Sequence, residues 1–347
     1  MLPDGPATLA DVAARAGVSL ATASRALNGS ANRQVREELR ERVLQAAREL
    51  DYSPNAQAQA MARGRTATLG LVVHDIADPY FSAIASGVIE AAAAHGLLVT
   101  VASTQRDPHA ELRHVEMLHQ LRAQVVVLAG SRLDDPVLLD QMRAALAAVT
   151  RHGARVACIG QDVLGVSTVV VENRLGAAAL ADALVELGHR SFAVLTGPHD
   201  HLTARDRTEG FCYGLAGAAP RPEHLLPGEF TWEGGYDTTK AFLAAAGGTA
   251  PVDCLFAVND VMALGAVAAL REAGLRVPDD IAVAGFDDVP SLRDVVPGIT
   301  TVRLPMTQMG ATVVELALDD SPAARTARVR VPGEIVLRES TRRAATG

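Results

Sequence analysis

The sequence predicts a small all-α unit at the N-terminus and, behind it, a larger α/β core of two doubly wound parallel-sheet units. Three observations predict it. Residues 8–29, "TLADVAARAGVSLATASRALNG", hold two short apolar-periodic segments around Gly17. From residue 68 onward, continuous apolar runs alternate with alanine-rich helical stretches, the pattern of strands buried on both faces between helices. A length of 347 residues leaves room for a small domain and two larger units.

Composition narrows the function classes. Hydrophobic content of 49% and a mean hydropathy of +0.16 mark a buried core rather than a disordered chain. Cys158, Cys212 and Cys254 have no C-x-x-C spacing, which argues against a disulfide framework or a cysteine zinc site and fits a reducing cytosol. No basic and apolar leader follows Met1, and no apolar run approaches bilayer length, so a cytoplasmic protein is expected. Lys240 is the only lysine, which reads as codon usage rather than chemistry. Residues 1–65 carry 9 Arg against 7 Asp and Glu, a net +2, within a chain of net charge −8. A basic head on an acidic body points to the head as the part that meets a polyanion.

The elements of the head follow in order. Thr8 caps a first helix, with Asp11 in the capping-box position, and Leu9, Val12, Ala13 and Ala16 recur at helical spacing. Gly17 stands where a left-handed C-cap belongs. Ser19 caps a second helix over 20–27 that buries Ala23, Ala26 and Leu27. Two helices joined by so short a turn make a helix-turn-helix, whose second helix presents its N-terminal residues to the major groove. Here those are Leu20, Ala21 and Thr22, with Arg25 one turn on; Ser24 and Asn28 complete the DNA-facing set on this helix. A third helix is expected from about Arg36 to Leu50, burying Leu39, Val43, Ala46, Ala47 and Leu50. Pro54 then opens a short helix, 55–62, that Gly64 stops; two turns are marginal in water alone, so it suits a linker that folds on DNA.

In the core, strands are expected at 68–73, 98–102, 125–129, 155–159, 168–171, 191–195, 253–258 and 281–285. Helices are expected at 81–94, 109–122, 136–149, 175–187 and 261–273. Open parallel sheets bind ligands at the carboxyl ends of their strands. Tyr80 and Phe81 follow the first strand. His199, His201, Thr203 and Arg207 follow "FAVLTGP", Asn259 and Asp260 follow "CLFAV", and Asp287 and Asp288 follow "IAVAGF". Phe230 and Trp232 lie in a further loop. Planar Arg, Asp and Asn groups suit paired sugar hydroxyls, and an aromatic face suits a sugar's C–H surface. Asp260 and Asp288 are expected to cap the helices after them. His199 and His201 are only half of a metal site and lack an evident partner, so no metal and no cofactor is expected. No P-loop, dinucleotide fingerprint or nucleophile elbow occurs, and no enzymatic activity is expected.

The stretches "TLADVAARAGVSLATASRALNG", "YSPNAQAQAMARGRTATLGLVVHDIADPYFSAI", "ALVELGHRSFAVLTGP", "AVNDVMALGAVAALREAGLRVPDDIAVAGFDD", "TTVRLP" and "IVLRES" together resemble the lactose repressor/galactose repressor (LacI/GalR) family over nearly the whole length. The resemblance implies a helix-turn-helix headpiece (7–53), a hinge helix and linker (54–65) and a core similar to periplasmic sugar-binding proteins (66–347). That core is expected to cross between subdomains near 166, 298 and 326. The N-subdomain is then 66–165 with 299–325, and the C-subdomain 166–298 with 326–347. It further implies a homodimer on pseudo-palindromic double-stranded operator DNA, near the bacterial nucleoid, with base discrimination at Leu20 and Ala21. The hinge helix contributes Asn55, and Met61 stands where relatives wedge a leucine into the minor groove. Effector contacts fall on Phe81, Thr203, Arg207, Phe230, Asn259 and Asp287, beside Tyr80, His201 and Trp232 from the strand-end reading.

Departures from the family sharpen the expectation. His74 replaces a common proline, and Asp78-Pro79-Tyr80 replaces Asn-Pro-Phe. Glu172 replaces the usual aspartate of a "V-D-N" segment, and Leu304 a glutamine. Arg36 stands where a serine usually caps the third helix. Purine-sensing relatives carry an arginine at the position of His201, which favours a sugar effector over a purine. The alternatives are a nucleoside- or purine-responsive regulator, and a non-regulatory sugar-binding protein or an enzyme with a DNA-binding head.

Overall fold

The computed structural model describes residues 7–28, 35–53, 66–215, 222–321 and 326–342. The chain divides into two compact units, Met1–Thr66 and Ala67–Gly347. The expected hinge at 54–65, with Asn55 and Met61, lies outside the described residues.

The first unit holds α1 (Leu9–Ala16), α2 (Leu20–Asn28) and α3 (Glu37–Glu49). The Thr8 hydroxyl accepts the Asp11 N–H at 3.3 Å, and the Asp11 carboxylate accepts the Thr8 N–H at 2.8 Å, which closes the capping box. Gly17 ends α1 at φ 65°, ψ 39°, and the Val18 N–H returns to the Ala13 carbonyl. Ser19 accepts the Thr22 N–H at 3.2 Å. Arg36 makes no side-chain cap on α3. Val12, Ala23 and Val43 are fully buried at the centre, so each helix contributes a small residue and the three backbones approach closely.

The second unit alternates strands and helices. β1 (Thr68–Val73), β2 (Leu98–Ser103), β3 (Val125–Ala129), β4 (Arg155–Gly160) and β5 (Ser167–Val171) alternate first with α4 (Pro79–Ala94), α5 (Pro108–Gln120) and α6 (Pro136–Arg151). Each of these helices opens on Asp-Pro. Asp78, Asp107 and Asp135 accept the N–H of Tyr80, His109 and Val137, and proline fills the first helical position, where no donor is needed. Then come α7 (Asn173–Glu186), β6 (Phe192–Leu195), α8 (Leu202–Gly214), β7 (Leu225–Leu226), α9 (Trp232–Ala245), β8 (Cys254–Ala257), α10 (Asp260–Glu272) and β9 (Ala282–Ala284). β10 (Thr301–Arg303), α11 (Met306–Leu318), β11 (Arg328–Val331) and β12 (Glu334–Val336) complete the chain.

Among the described residues, one parallel sheet has the order β11-β5-β4-β3-β1-β2, a second has β7-β6-β8-β9, and β10 pairs antiparallel with β12. The subdomain boundaries expected from sequence need correction. β5 pairs with β4 (Cys158↔Thr168) and β11 with β5 (Val329↔Val169), so both belong to the first sheet. β10 is bridged to the second sheet's edge at Ala284↔Thr300 and Asp287↔Arg303. The chain therefore crosses after 171, 303 and 331 rather than near 166, 298 and 326. A strand's sheet is set by its long-range hydrogen-bonded partner, which its own sequence does not encode. α8, α9 and α11 were not among the expected helices. Glycines weaken their local signal, yet those glycines are contact points: a Cβ at Gly210 would overlap the Arg174 carbonyl, one at Gly235 the Met262 carbonyl, and one at Gly310 the Ile84 carbonyl.

Candidate functional site

In the headpiece, the start of α2 presents Leu20, 54% exposed, beside exposed Ala21. Thr22 is half-buried, with its hydroxyl 2.8 Å from that of Ser19, and so serves the helix start. Ser24 is half-buried, and Asn28 is the last residue of α2. Arg25 lies back along its helix, Nε donating to the Ala21 carbonyl at 2.9 Å. Exposed apolar Leu20 gains nothing in the isolated chain; it suits a thymine methyl in a groove.

The cleft of the core forms where strands of both sheets end. Tyr80 and Phe81 enter at the start of α4, His201, Thr203 and Arg207 on and just before α8, Phe230 before α9, Asn259 after β8 and Asp287 after β9. These eight predicted residues line one cavity that is partly open to solvent. Trp232 does not join them. It is 42% exposed at the start of α9 and stacks on Tyr236 at 5.2 Å. At helical spacing, Trp232 and Tyr236 share an outward face, whereas Phe230, two residues earlier in the loop, turns inward.

Arg207 organises the site. Its Nε donates to Asn173 Oδ1 at 2.8 Å, Nη1 to the Val258 carbonyl at 2.7 Å and Nη2 to Asp287 Oδ1 at 2.8 Å, while its guanidinium sits 3.9 Å from the centre of the Phe286 ring. Asp287 sits at φ 119°, a conformation costing about 1–3 kcal/mol. β10 holds it there: the Asp287 N–H reaches the Val302 carbonyl at 2.9 Å and its carbonyl accepts the Leu304 N–H at 3.1 Å. Burial pushes the Asp287 carboxyl up to about 6, against the pull of Arg207.

The caps differ from expectation. Asn259, not Asp260, caps α10, accepting the Met262 N–H at 2.9 Å. Asp260 is buried and ties the cleft loop to β10, accepting the Val289 N–H at 2.9 Å and the Thr301 hydroxyl at 2.7 Å. Burial, then neighbouring Asp287, raises its carboxyl to about 7. Asp288 caps nothing; it joins Arg338 at 2.6 Å and Arg303 at 2.7 Å.

Aromatic surfaces flank the polar group. Tyr80 and Phe81 meet edge-on at 5.0 Å, and His201 stacks on Phe230 at 5.6 Å and 18°. Burial lowers the His201 pKa, and burial followed by Arg132 holds His74 well below its ordinary range, so both rings are neutral near pH 7. Burial also raises the Tyr80 phenol, which stays protonated as a donor.

Sequence reasoning did not select His74, Asp78, Arg106, Ser131 or Asn173, yet all line the cavity. Their signal was available for Asp78 and Ser131, which follow β1 and β3 as Tyr80 and Phe81 follow β1. Arg106 pairs with Asp78 at 3.3 Å. The two sheets are also tied across the cleft. Leu202 N–H donates to the Arg132 carbonyl at 2.9 Å and Asp134 N–H to the Asp200 carbonyl at 2.8 Å. Gln161 Nε2 donates to the Thr203 hydroxyl at 2.7 Å, and Arg205 pairs with Asp134 at 2.5 Å.

His189 is structural: it is buried, with Nε2 3.0 Å from the Thr341 carbonyl. Among the described residues no group of three or more His, Cys, Asp or Glu is placed to hold a metal ion, and no helix is long and apolar enough to cross a membrane.

Comparison with known proteins agrees with this architecture. Residues 8–55 match bacterial regulatory proteins of the lacI family, and residues 181–341 match the periplasmic binding protein-like domain. The chain is 31% identical to the HTH-type transcriptional repressor PurR of Haemophilus influenzae (strain PittEE), over 97% of this chain and 99% of the relative. A lac repressor dimer bound to operator and the anti-inducer ONPF superposes with a TM-score of 0.84 at 28% identity, covering 97% and 99% of the two chains. The regulator CelR in complex with cellobiose gives a TM-score of 0.67 at 30% identity, covering 96% and 99%.

Proposed function

The chain belongs to the LacI family of bacterial regulatory proteins, and from that premise we propose that its effector is an uncharged, hydroxyl-rich small molecule, a sugar, held in the cleft between Arg207–Asp287 and Phe81. Membership makes the protein a sequence-specific DNA-binding transcriptional repressor, controlled by a small-molecule effector and working as a homodimer on a pseudo-palindromic operator. Its relatives are regulators, and the reading includes no catalytic step.

One observation carries the effector reading. Arg207 and Arg106, the arginines that line this cavity, each already face a carboxylate, Asp287 and Asp78. A phosphate or carboxylate ligand would meet two arginines whose charge is already balanced and two neighbouring carboxylates that repel it. A neutral sugar meets no such repulsion; it adds hydroxyls to the remaining donor and acceptor positions and lays C–H surface on Phe81 and Phe230. Contact with both sheets is what lets a ligand favour one arrangement of the core over another.

On the DNA side, Leu20 and Ala21 read thymine methyls and groove shape, with Thr22, Ser24 and Asn28 beside them. Arg25 swings from Ala21 to a base edge, with Asn55 and Met61 of the hinge completing the contact.

A nucleoside is the second reading. The His201–Phe230 stack offers a flat surface to a base as well as to a sugar face. Titration calorimetry of the full-length protein decides among these, using ribose, glucose, cellobiose, inosine and glucose 6-phosphate. The proposal expects a neutral sugar to bind and glucose 6-phosphate to bind at least tenfold more weakly than glucose. Preferential binding of the phosphate ester overturns it, and binding of inosine alone selects the nucleoside.

A further inference from the structure

A second cavity of the core lies where the loop after β9, strand β10 and the start of α11 meet Ala83 of α4. It is partly open to solvent and has a volume of about 540 Å³, within the range of small-molecule sites. None of its lining residues lines the effector cleft.

The two cavities differ in charge. In the cleft, Arg207 and Arg106 face Asp287 and Asp78, which leaves no net charge. The second cavity is lined by Arg293, Arg303 and Arg338 against one carboxylate, Asp288, which leaves a net +2. Asp288 is nine-tenths buried and divided between two of the three: one of its oxygens takes Arg338 Nη2 at 2.6 Å and the other takes Arg303 Nε at 2.7 Å. Glu334 reaches Arg303 Nη1 at 3.4 Å from outside the lining, a long contact between exposed groups that offsets little charge. Arg293 is exposed and has no ion pair among the described residues; its neighbour Asp294 is exposed and does not line the cavity. The whole guanidinium of Arg293 and Nη2 of Arg303 are therefore left as donors, and Asp288 keeps Arg303 and Arg338 in place before any ligand arrives.

The remaining wall adds donors and no opposing charge. α11 begins behind Pro305, and no side chain caps it. The Met306 N–H turns to the Leu304 carbonyl at 2.9 Å and the Met309 N–H to the Pro305 carbonyl at 2.8 Å, while Thr307 and Gln308 between them line the cavity and are exposed. Their position in the first turn adds the positive end of the helix dipole to the arginine charge. A metal cation is repelled here, and a neutral sugar leaves the excess charge unbalanced. A compact anion with two negative charges balances it and accepts paired N–H groups from a guanidinium.

We infer that this cavity is a second ligand site, for a small dianion such as a phosphate monoester or a compact di-acid, held by Arg293 and Arg303 and facing the first turn of α11. The site stands independently of the sugar reading of the cleft.

The test titrates glycerol 3-phosphate, 3-phosphoglycerate and citrate into the full-length protein by calorimetry at low salt, beside uncharged glycerol. The inference expects at least one of the anions to bind about tenfold or more tighter than glycerol, with the margin shrinking as salt is added. Two variants place the binding. Arg293→Ala removes a side chain that supports no other element, so thermal unfolding should hold while the margin is lost. Gln308→Glu puts an acid in the first turn of α11, where it favours the helix dipole, so it should hold or raise thermal stability and still repel the anion. No margin over glycerol overturns the site. A margin that survives either variant also overturns it, because the anion is then held elsewhere. Binding of citrate alone or of the phosphate esters alone, lost in both variants, supports the site and tells which anion it takes. Glucose 6-phosphate titrated into Arg293→Ala reports the cleft without this cavity, so failure of the second site and failure of the sugar reading are distinguishable.

Discussion

Arg25 of the headpiece and Arg207 of the core are each proposed to meet a ligand, yet their surroundings are opposites. Arg25 is half-buried on α2, with Nε on a carbonyl of its own helix. Arg207 is 3% exposed and holds a side chain from α7, a carbonyl after β8 and a carboxylate after β9. The first arginine is free to exchange its contact for a base edge. The second is fixed before any ligand arrives. DNA is a large, stiff polyanion that can organise exposed side chains on contact, whereas a small neutral ligand supplies too little binding energy to do so and needs a site already formed.

The largest expected effect tests that contrast directly. Arg207→Ala leaves Asp287 buried and unpaired, so it should weaken effector binding by about 2–5 kcal/mol and lower core stability by about 3–5 kcal/mol. Operator affinity without effector should hardly change. Calorimetry, thermal unfolding and operator titration read the three quantities, and retained effector affinity would show that the cleft has been misplaced. Arg25→Ala should do the reverse. It should cost about 1–3 kcal/mol of specific operator binding and shift thermal unfolding little, because its side chain supports no other element. A random-site selection after exchanging Leu20 and Ala21 sharpens the same point: an unchanged motif would remove both from the readers.

Protonation gives a smaller effect confined to the core. Asp287 has its carboxyl raised to about 6 by burial. A group raised above its unfolded value binds its proton more readily when folded, so ionising it costs stability as pH rises from about 4 to 6, and that cost is complete above 6. Effector binding runs the other way if ligand hydroxyls donate to the ionised carboxylate. Affinity should fall about tenfold from pH 7 to pH 5, while operator binding lacks this step. A flat profile would mean that the ligand does not rely on the Asp287 charge. The smallest change is Thr8→Ala, which removes the capping box of α1 and should cost the headpiece about 1 kcal/mol, read by the melting of the isolated transition in residues 1–66, with no effect on sugar binding.

The unequal legibility of the two regions has the same origin. In the headpiece, Thr8, Asp11, Gly17 and Ser19 act on backbone groups within a few residues, so their spacing alone places α1 and α2. The cleft was legible only as a set of strand ends: Tyr80, Phe81, Arg207, Asn259 and Asp287 follow apolar runs, but nothing in their spacing shows what each touches. Trp232 is expected in the cleft as a loop aromatic beside Phe230, but its outward stack on Tyr236 depends on where α9 begins. Asn173 follows the expected strand 168–171, but nothing in its spacing shows its contact with Arg207, which joins residues 34 apart.

The sequence by itself determined the helix-turn-helix, the alternation that builds parallel sheets, the buried strands and the family. These depend on periodicity, caps and turn residues, which are local and repeat along the chain. Tertiary structure alone decided that β5 and β11 join the first sheet and that β10 braces Asp287 at φ 119°. It also decided that Asp260 serves the cleft loop rather than capping a helix, and that Glu111 meets Arg132 beside the cleft. Each of these joins groups distant in sequence, and their partners are selected by the packing of whole sheets and helices, where burial makes an unpaired polar group too costly to leave and so fixes which groups must meet.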